Sequence, residues 1–426
     1  MEVGMRIILS GADVFTVNGF QKCDMAIENG RIISFSPEIS AGDTVIGAEG
    51  LNIFPGFVDV HTHLREPGFF YKETIKSGTK AAARGGFTTV FSMPNLNPCP
   101  DCLENLKVQT DIIEKDACIE VVPYASITKG ERGAELSDFE TLAPYVGGFS
   151  DDGKGVQSAL MMEKAMQKAS SLGKIIVAHC EDESLLRGGY IHDGVYARQH
   201  GHKGICSASE YTQVERDLAL AEKTGCRYHI CHVSAAESVE AIRQAKKRGV
   251  KVTAETCPHY LTLTENDLKE EGRFKMNPPL RTAKDRDSLI EGLKDGTIDV
   301  VSTDHAPHSA EEKSKGLKDS LMGVVGLETA FPVLYTELVK KGVIGLEKLI
   351  DVMSVNPAKI FGHGSSLEVG SPASFTVFDL NDCYEIDPSE FQSKGKSTPY
   401  AGKKVYGRCI YTFSNGRIVW QEKGRK

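Results

Sequence analysis

The sequence predicts an α/β protein: a (β/α)8 barrel of the TIM type, with a small composite β-sandwich domain built from the N- and C-terminal segments. Three observations lead there. Eight short apolar runs recur between residues 56 and 362, amphipathic stretches separate them, and both flanks change to short strands broken by Gly and Asn. Nearly continuous apolar runs suit strands buried on both faces, and eight of them, each followed by a helix, close into a parallel barrel.

Taken in order, residues 1–55 read as short strands with turn residues, as in Ile27-Glu-Asn-Gly30-Arg-Ile-Ile. The barrel runs then fall at 56–64, 88–95, 118–127, 147–153, 174–182, 227–234, 251–261 and 298–308. Helix starts between them are marked by Ser207-x-x-Glu210 and Ser234-x-x-Glu237, which read as capping boxes, and by the looser Thr282-x-x-Asp285. The barrel is assigned residues 56–362. Residues 363–426 return to strands, as in Ser374-Phe-Thr-Val-Phe378. Each β-rich end is too small to bury a core alone, so the two are expected to pair beside the barrel.

Composition narrows the function. With 40% hydrophobic and 25% charged residues the chain resembles an ordinary soluble enzyme. A net charge of −8, without basic runs, excludes a nucleic-acid surface. No stretch approaches the ~18 apolar residues of a membrane span. The opening Met1-Glu-Val-Gly-Met-Arg-Ile-Ile-Leu-Ser10 lacks the long apolar core of a leader, and eleven scattered cysteines read as reduced thiols of a cytoplasmic protein. Cys99-Pro-Asp-Cys102 lacks the second pair that a zinc knuckle needs.

Active sites of such barrels lie at the C-terminal strand ends. Strand one ends in His61-Thr-His63-Leu-Arg65, and residues i and i+2 of a strand share a face. Strand two ends near Asn95, strand four in Asp151-Asp152-Gly153, strand five in His179, strand six in His232 and strand eight in Asp304-His-Ala-Pro-His308. One such residue is commonly structural. Four histidines and two or three aspartates at one mouth point to a metal centre, with Arg65 placed to hold an anion.

The motifs Asp59-Val-His61-Thr-His63-Leu-Arg65-Glu-Pro-Gly68, Met93-Pro-Asn95, Ser150-Asp-Asp-Gly153, His179-Cys-Glu-Asp182, Asn277-Pro-Pro-Leu-Arg281 and Thr303-Asp-His-Ala-Pro-His308 resemble the amidohydrolase superfamily, and within it class I dihydroorotases, over essentially the full length. That resemblance implies two zinc ions, one on His61, His63 and Asp304 and one on His179 and His232, bridged by Asp152. Adjacent strand residues face opposite ways, so Asp151 is the rival bridge, and Lys154 beyond the Gly turn ranks lower. Asp304 is the implied proton carrier. His63, Arg65, Asn95, Asn277 and His308, with backbone groups at Met322 and Gly323, are the implied substrate contacts. Arg281 reads as a lesser site or a surface ion pair, His259, Cys180 and Asp59 as supporting residues, and Ser309–Met322 as a mobile lid. The implied reaction is reversible hydrolysis of L-dihydroorotate to N-carbamoyl-L-aspartate in pyrimidine synthesis. A hydantoinase or allantoinase, or a silent partner of aspartate transcarbamoylase, is the alternative. A homodimer is expected, with possible transcarbamoylase association.

Overall fold

The computed structural model describes residues 6–16 and 18–424. The segment Met1–Met5, part of the stretch read above as lacking a leader's core, lies outside the described residues.

The barrel strands are β1 (Phe57–Thr62), β2 (Phe87–Ser92), β3 (Glu120–Pro123, resuming at Ala125–Ser126), β4 (Phe149–Ser150), β5 (Ile175–Ala178), β6 (Arg227–Ile230), β7 (Val252–Thr256) and β8 (Val300–Val301). Each pairs in parallel with the next, and a parallel bridge from Thr62 to His305 closes the ring. β1 and β2 are buried at every residue, as a strand covered on both faces must be. Several strands stop short of the apolar runs that signal them. The reason is local: the mouth residues leave the ladder to turn inward, and Asp304 does so at φ 46°.

Long helices cover the outside, among them Ile75–Arg84, Ala159–Ser171, Ala208–Thr224, Ala236–Lys247 and Ala283–Asp295. Between β3 and β4 the α-helix shrinks to Phe139–Leu142, flanked by the 3₁₀ turns Lys129–Glu131 and Ala143–Tyr145. Thr282 and Asp285 do form a capping box. The other two expected boxes do not form. Ser207 makes no capping bond, and the helix after β6 begins at Ala236 with Ala235 as its uncapped N-cap. The physical reason is a stronger demand on Glu210. Its buried carboxylate accepts from Ser234 N (3.0 Å), Ala235 N (3.0 Å), Ser238 Oγ (2.7 Å) and Arg281 Nη2 (3.3 Å).

The chain ends meet in one eight-stranded sheet. Phe375–Glu385 from the C-terminal part runs antiparallel to Asn52–Pro55 from the N-terminal part, with Phe375 opposite Pro55. The sheet curls about Val14, Met25, Ile53, Phe375 and Phe413 until its far turns touch at Gly30 and Gly416. Both glycines have positive φ, and a Cβ on Gly416 would lie 2.6 Å from the Gly30 Cα. Only glycine fits there. Phe54 and Phe378 carry the contact to the barrel, stacking 5.7 Å apart beside Phe57 and Phe331.

Candidate metal centre

The strand ends bring His61, His63, Asp152, His179, His232 and Asp304 together at one buried point of the barrel mouth. His63 Nε2 lies 3.1 Å from Asp304 Oδ1 and 3.4 Å from Asp152 Oδ2, while His61 Nε2 lies 3.5 Å from Asp304 and 3.4 Å from Asp152. On the other side His179 Nδ1 and His232 Nε2 approach to 2.9 Å, and Asp152 Oδ1 stands 3.7 and 3.6 Å from them. Ligands of one tetrahedral zinc, at about 2.0–2.1 Å from the ion, sit roughly 3.3 Å apart, so these spacings are those of donors around a cation. His61 Nε2 and Asp152 Oδ1 are buried without any hydrogen bond. The donor set therefore fits metal ions, with Asp152 reaching both halves of the cluster. Asp151 turns away and accepts from Ile127 N (2.7 Å) and Thr128 N (3.0 Å). Lys154 is half-exposed, 3.8 Å from Glu131, and faces no ligand.

A surrounding set of acceptors fixes which ring nitrogen each histidine presents. His61 Nδ1 donates to Glu255 Oε1 at 2.6 Å and His63 Nδ1 to Asn95 Oδ1 at 3.0 Å, leaving both Nε2 lone pairs for the cluster. Glu255, fully buried on β7, also contacts His229 Nε2 (3.1 Å), His232 N (3.2 Å) and Ser302 Oγ (2.7 Å). Asp59 accepts from His61 N at 3.0 Å and Thr303 Oγ1 at 2.5 Å, tying β1 to β8. Glu181 lies 3.5 Å from His179 Nε2.

Electrostatics follow from this crowding. Burial opposes ionisation of Asp152, but His61 and the close approach of His179 and His232 more than reverse it and hold the carboxyl well below its usual range. Asp304 is likewise held low, against burial, by His61 and His63. His179 is pushed up to about 10, burial being outweighed by Asp152 and Glu181. A site that attracts protons so strongly attracts divalent cations for the same reason. Arg65, His232 and Asp304 all sit at positive φ (62°, 33° and 46°), a strain of about 1–3 kcal/mol each that aims side chains at the centre.

The anion side is built from loops. Arg65 donates from Nε to the Pro307 carbonyl at 3.2 Å, which leaves its Nη groups for a ligand. Asn277 donates to Glu181 at 3.0 Å, and its Oδ1 is buried and unpartnered. His308 Nε2 donates to the Met322 carbonyl at 2.7 Å, and Gly323 N donates to the Lys275 carbonyl at 3.0 Å. Those groups of 308, 322 and 323 are thus bonded to one another's loops. Arg281 is buried against Glu210, Ser234 and Ser207, which replaces the surface ion pair read from sequence by an internal strut. His259 is buried with Nε2 unpartnered, and Cys180 contacts Tyr228 OH at 3.3 Å. Ser309–Met322 contains two short helices, Ala310–Lys313 and Gly316–Asp319, pinned by Lys313 Nζ to the Leu321 carbonyl at 2.8 Å. The sequence reading overlooked Glu255 and Glu181; a carboxylate inside an apolar strand run was the available signal for Glu255.

Residues 50–238 match the family described as dihydro-orotase-like. A dihydroorotase from Geobacillus thermodenitrificans is 50% identical over 428 residues, covering 99% of this chain and 100% of the relative. One from Fusobacterium nucleatum subsp. nucleatum is 49% identical over 421 residues, covering 98% and 99%. Among solved structures, the L-hydantoinase (dihydropyrimidinase) from Arthrobacter aurescens superposes with a TM-score of 0.87 at 26% identity, covering 99% of this chain and 97% of that one.

Proposed function

The chain belongs to the dihydroorotase family of cyclic amidohydrolases, and from that premise we propose that it catalyses the reversible hydrolysis of L-dihydroorotate to N-carbamoyl-L-aspartate, the ring-closing chemistry of pyrimidine synthesis run in either direction. The observation that carries the substrate choice is Arg65: a guanidinium with free Nη groups beside the six-ligand cluster suits a ring that bears a carboxylate.

The donor set would hold two zinc ions, one on His61, His63 and Asp304, the other on His179 and His232, with Asp152 shared. Such ions supply Lewis acidity and bring the pKa of water from about 15.7 to near 7. The chain's own residues do the rest. Asp304, whose carboxyl sits below its ordinary range even in the metal-free centre, accepts the proton of the attacking water. It then returns that proton to the ring nitrogen as the carbon–nitrogen bond breaks. Glu255 and Asn95 keep His61 and His63 in the tautomers that ligation requires. Asn277 and Asn95 flank the ring, and Arg65 orients it through its carboxylate. Hydrolysis creates a new carboxylate and releases a proton, so acid favours closure. The eleven unpaired cysteines suit a reducing, cytoplasmic setting.

The test offers dihydroorotate, hydantoin and allantoin side by side to the zinc-loaded enzyme. Preferential turnover of dihydroorotate is expected; preference for either other ring would replace this reading with the one suggested by the hydantoinase-like fold. Arg65→Ala is expected to raise KM for dihydroorotate by about 10–100-fold with a smaller change in kcat. An unaltered KM would mean that the carboxylate is held elsewhere.

A further inference from the structure

Past Arg65 the chain makes a tight turn, Phe69 N donating to the Arg65 carbonyl (2.8 Å) and Lys72 N to the Phe69 carbonyl (2.9 Å). The turn brings the Lys72 ammonium back over the anion side of the mouth. Lys72 Nζ lies 3.2 Å from His308 Nδ1 and 3.0 Å from Glu312 Oε1, with the rings of Tyr71 and Phe69 5.5 and 5.8 Å away and only 11% of its side chain exposed.

His308 explains what the ammonium does there. Its Nε2 faces the Met322 carbonyl, which can only accept, so Nε2 carries the hydrogen and Nδ1 is the acceptor. Burial, then Arg65 and Lys72, drive this ring well below its ordinary pKa and keep it neutral. A neutral imidazole with its single N–H committed has no donor left for an anion. Three cations act on this ring: Lys313, whose ammonium is bonded to the Lys275 and Leu321 carbonyls at 3.0 and 2.8 Å, the Arg65 guanidinium, and the Lys72 ammonium, whose three hydrogens are only two-thirds engaged by His308 and Glu312.

We propose that Lys72 is a specificity-determining residue: together with Arg65 it forms a two-cation receptor for the substrate carboxylate, and Glu312 is the resident counter-charge that the carboxylate displaces. This assignment rests on the reading of the substrate as a carboxylated ring.

A purely structural ion pair predicts a different result. If Lys72 and Glu312 merely strut the loop 309–322, breaking the pair from either end harms binding alike. If Glu312 competes with the substrate, the two ends act oppositely. The experiment measures KM and kcat for dihydroorotate with zinc-loaded wild type, Lys72→Met, Lys72→Arg and Glu312→Gln. Gln can still cap the helix that begins at Ala310, because its amide oxygen replaces the carboxylate that now accepts from Ser309 N. Expected is a KM raised about tenfold or more in Lys72→Met with kcat within about threefold, partial recovery in Lys72→Arg, and a lowered KM in Glu312→Gln. An unaltered or raised KM in Glu312→Gln, or an unaltered KM in Lys72→Met, overturns the assignment while leaving the reaction intact. Should Lys72→Met not fold, the direction of the Glu312→Gln change decides alone. A wild type inert toward dihydroorotate overturns the functional reading and the Lys72 assignment with it.

Discussion

Glu255 shows how much of the centre depends on a side chain that acts through the ligand residues it touches. Its carboxylate takes the His61 Nδ1 hydrogen at 2.6 Å while accepting from Ser302 Oγ and the His232 backbone. Glu255→Gln keeps the shape but weakens the acceptor, so zinc affinity is expected to fall about 10–100-fold, read by competition with a chromogenic chelator. Proton linkage gives a second residue-level prediction. His179 has its pKa raised to about 10, so the metal-free protein at pH 8 carries a proton there that ligation must expel. Zinc binding should release protons and tighten as pH rises toward 10, checked by calorimetry in two buffers of different ionisation heat. Net proton uptake would contradict the geometry. The same shift stabilises the metal-free fold below the ordinary histidine value of 6.5, and that contribution is lost as pH climbs through about 10. The ligands themselves were legible in sequence because His, Asp and Arg stand out at the ends of apolar runs. Glu255 was not, since one carboxylate in Val252-Thr-Ala-Glu-Thr256 says nothing about which histidine it will meet across the barrel.

Elements hold the anion side through Glu210 and Arg281 more than through helix caps. The helix Ala208–Thr224 lends Glu210 to the loop after β6, and Arg281 joins that loop to the one carrying Asn277. Removing one partner of such a buried pair leaves an uncompensated charge. Glu210→Ala is expected to cost about 3–5 kcal/mol of stability, seen as a lowered Tm in thermal unfolding. A loss below about 1 kcal/mol would place this pair among surface bridges of little consequence. The Ser-x-x-Glu spacing misled here because it encodes only local reach. Whether Glu210 turns back to its own helix or outward to Ser234 is decided by the buried Arg281 seventy-one residues away. At Thr282 the box is closed locally through Asp285 Oδ2, which leaves Oδ1 free to accept from Ala236 N at 2.9 Å, and the pattern read correctly.

At the scale of the whole molecule the barrel was visible as eight apolar runs because burial on both faces leaves a signature that no loop imitates. The sheet formed by the two chain ends was visible only as a shortage of core, and its curl to the Gly30–Gly416 contact was not visible at all. The aromatic group Phe54, Phe57, Phe331 and Phe378 packs the sheet directly against the barrel. Deleting residues 375–426 should therefore strip the barrel of a buried face and yield insoluble chain on expression, whereas a soluble, zinc-binding fragment would show the barrel to be autonomous. The pairing of Asn52–Pro55 with Phe375–Phe378 also sets a timetable. During translation at about 5–20 residues per second the N-terminal strand emerges roughly 15–65 s before the one that completes it. For that interval a hydrogen-bonding edge waits unsatisfied on the ribosome, a window in which a chaperone or a neighbouring nascent chain can reach it first.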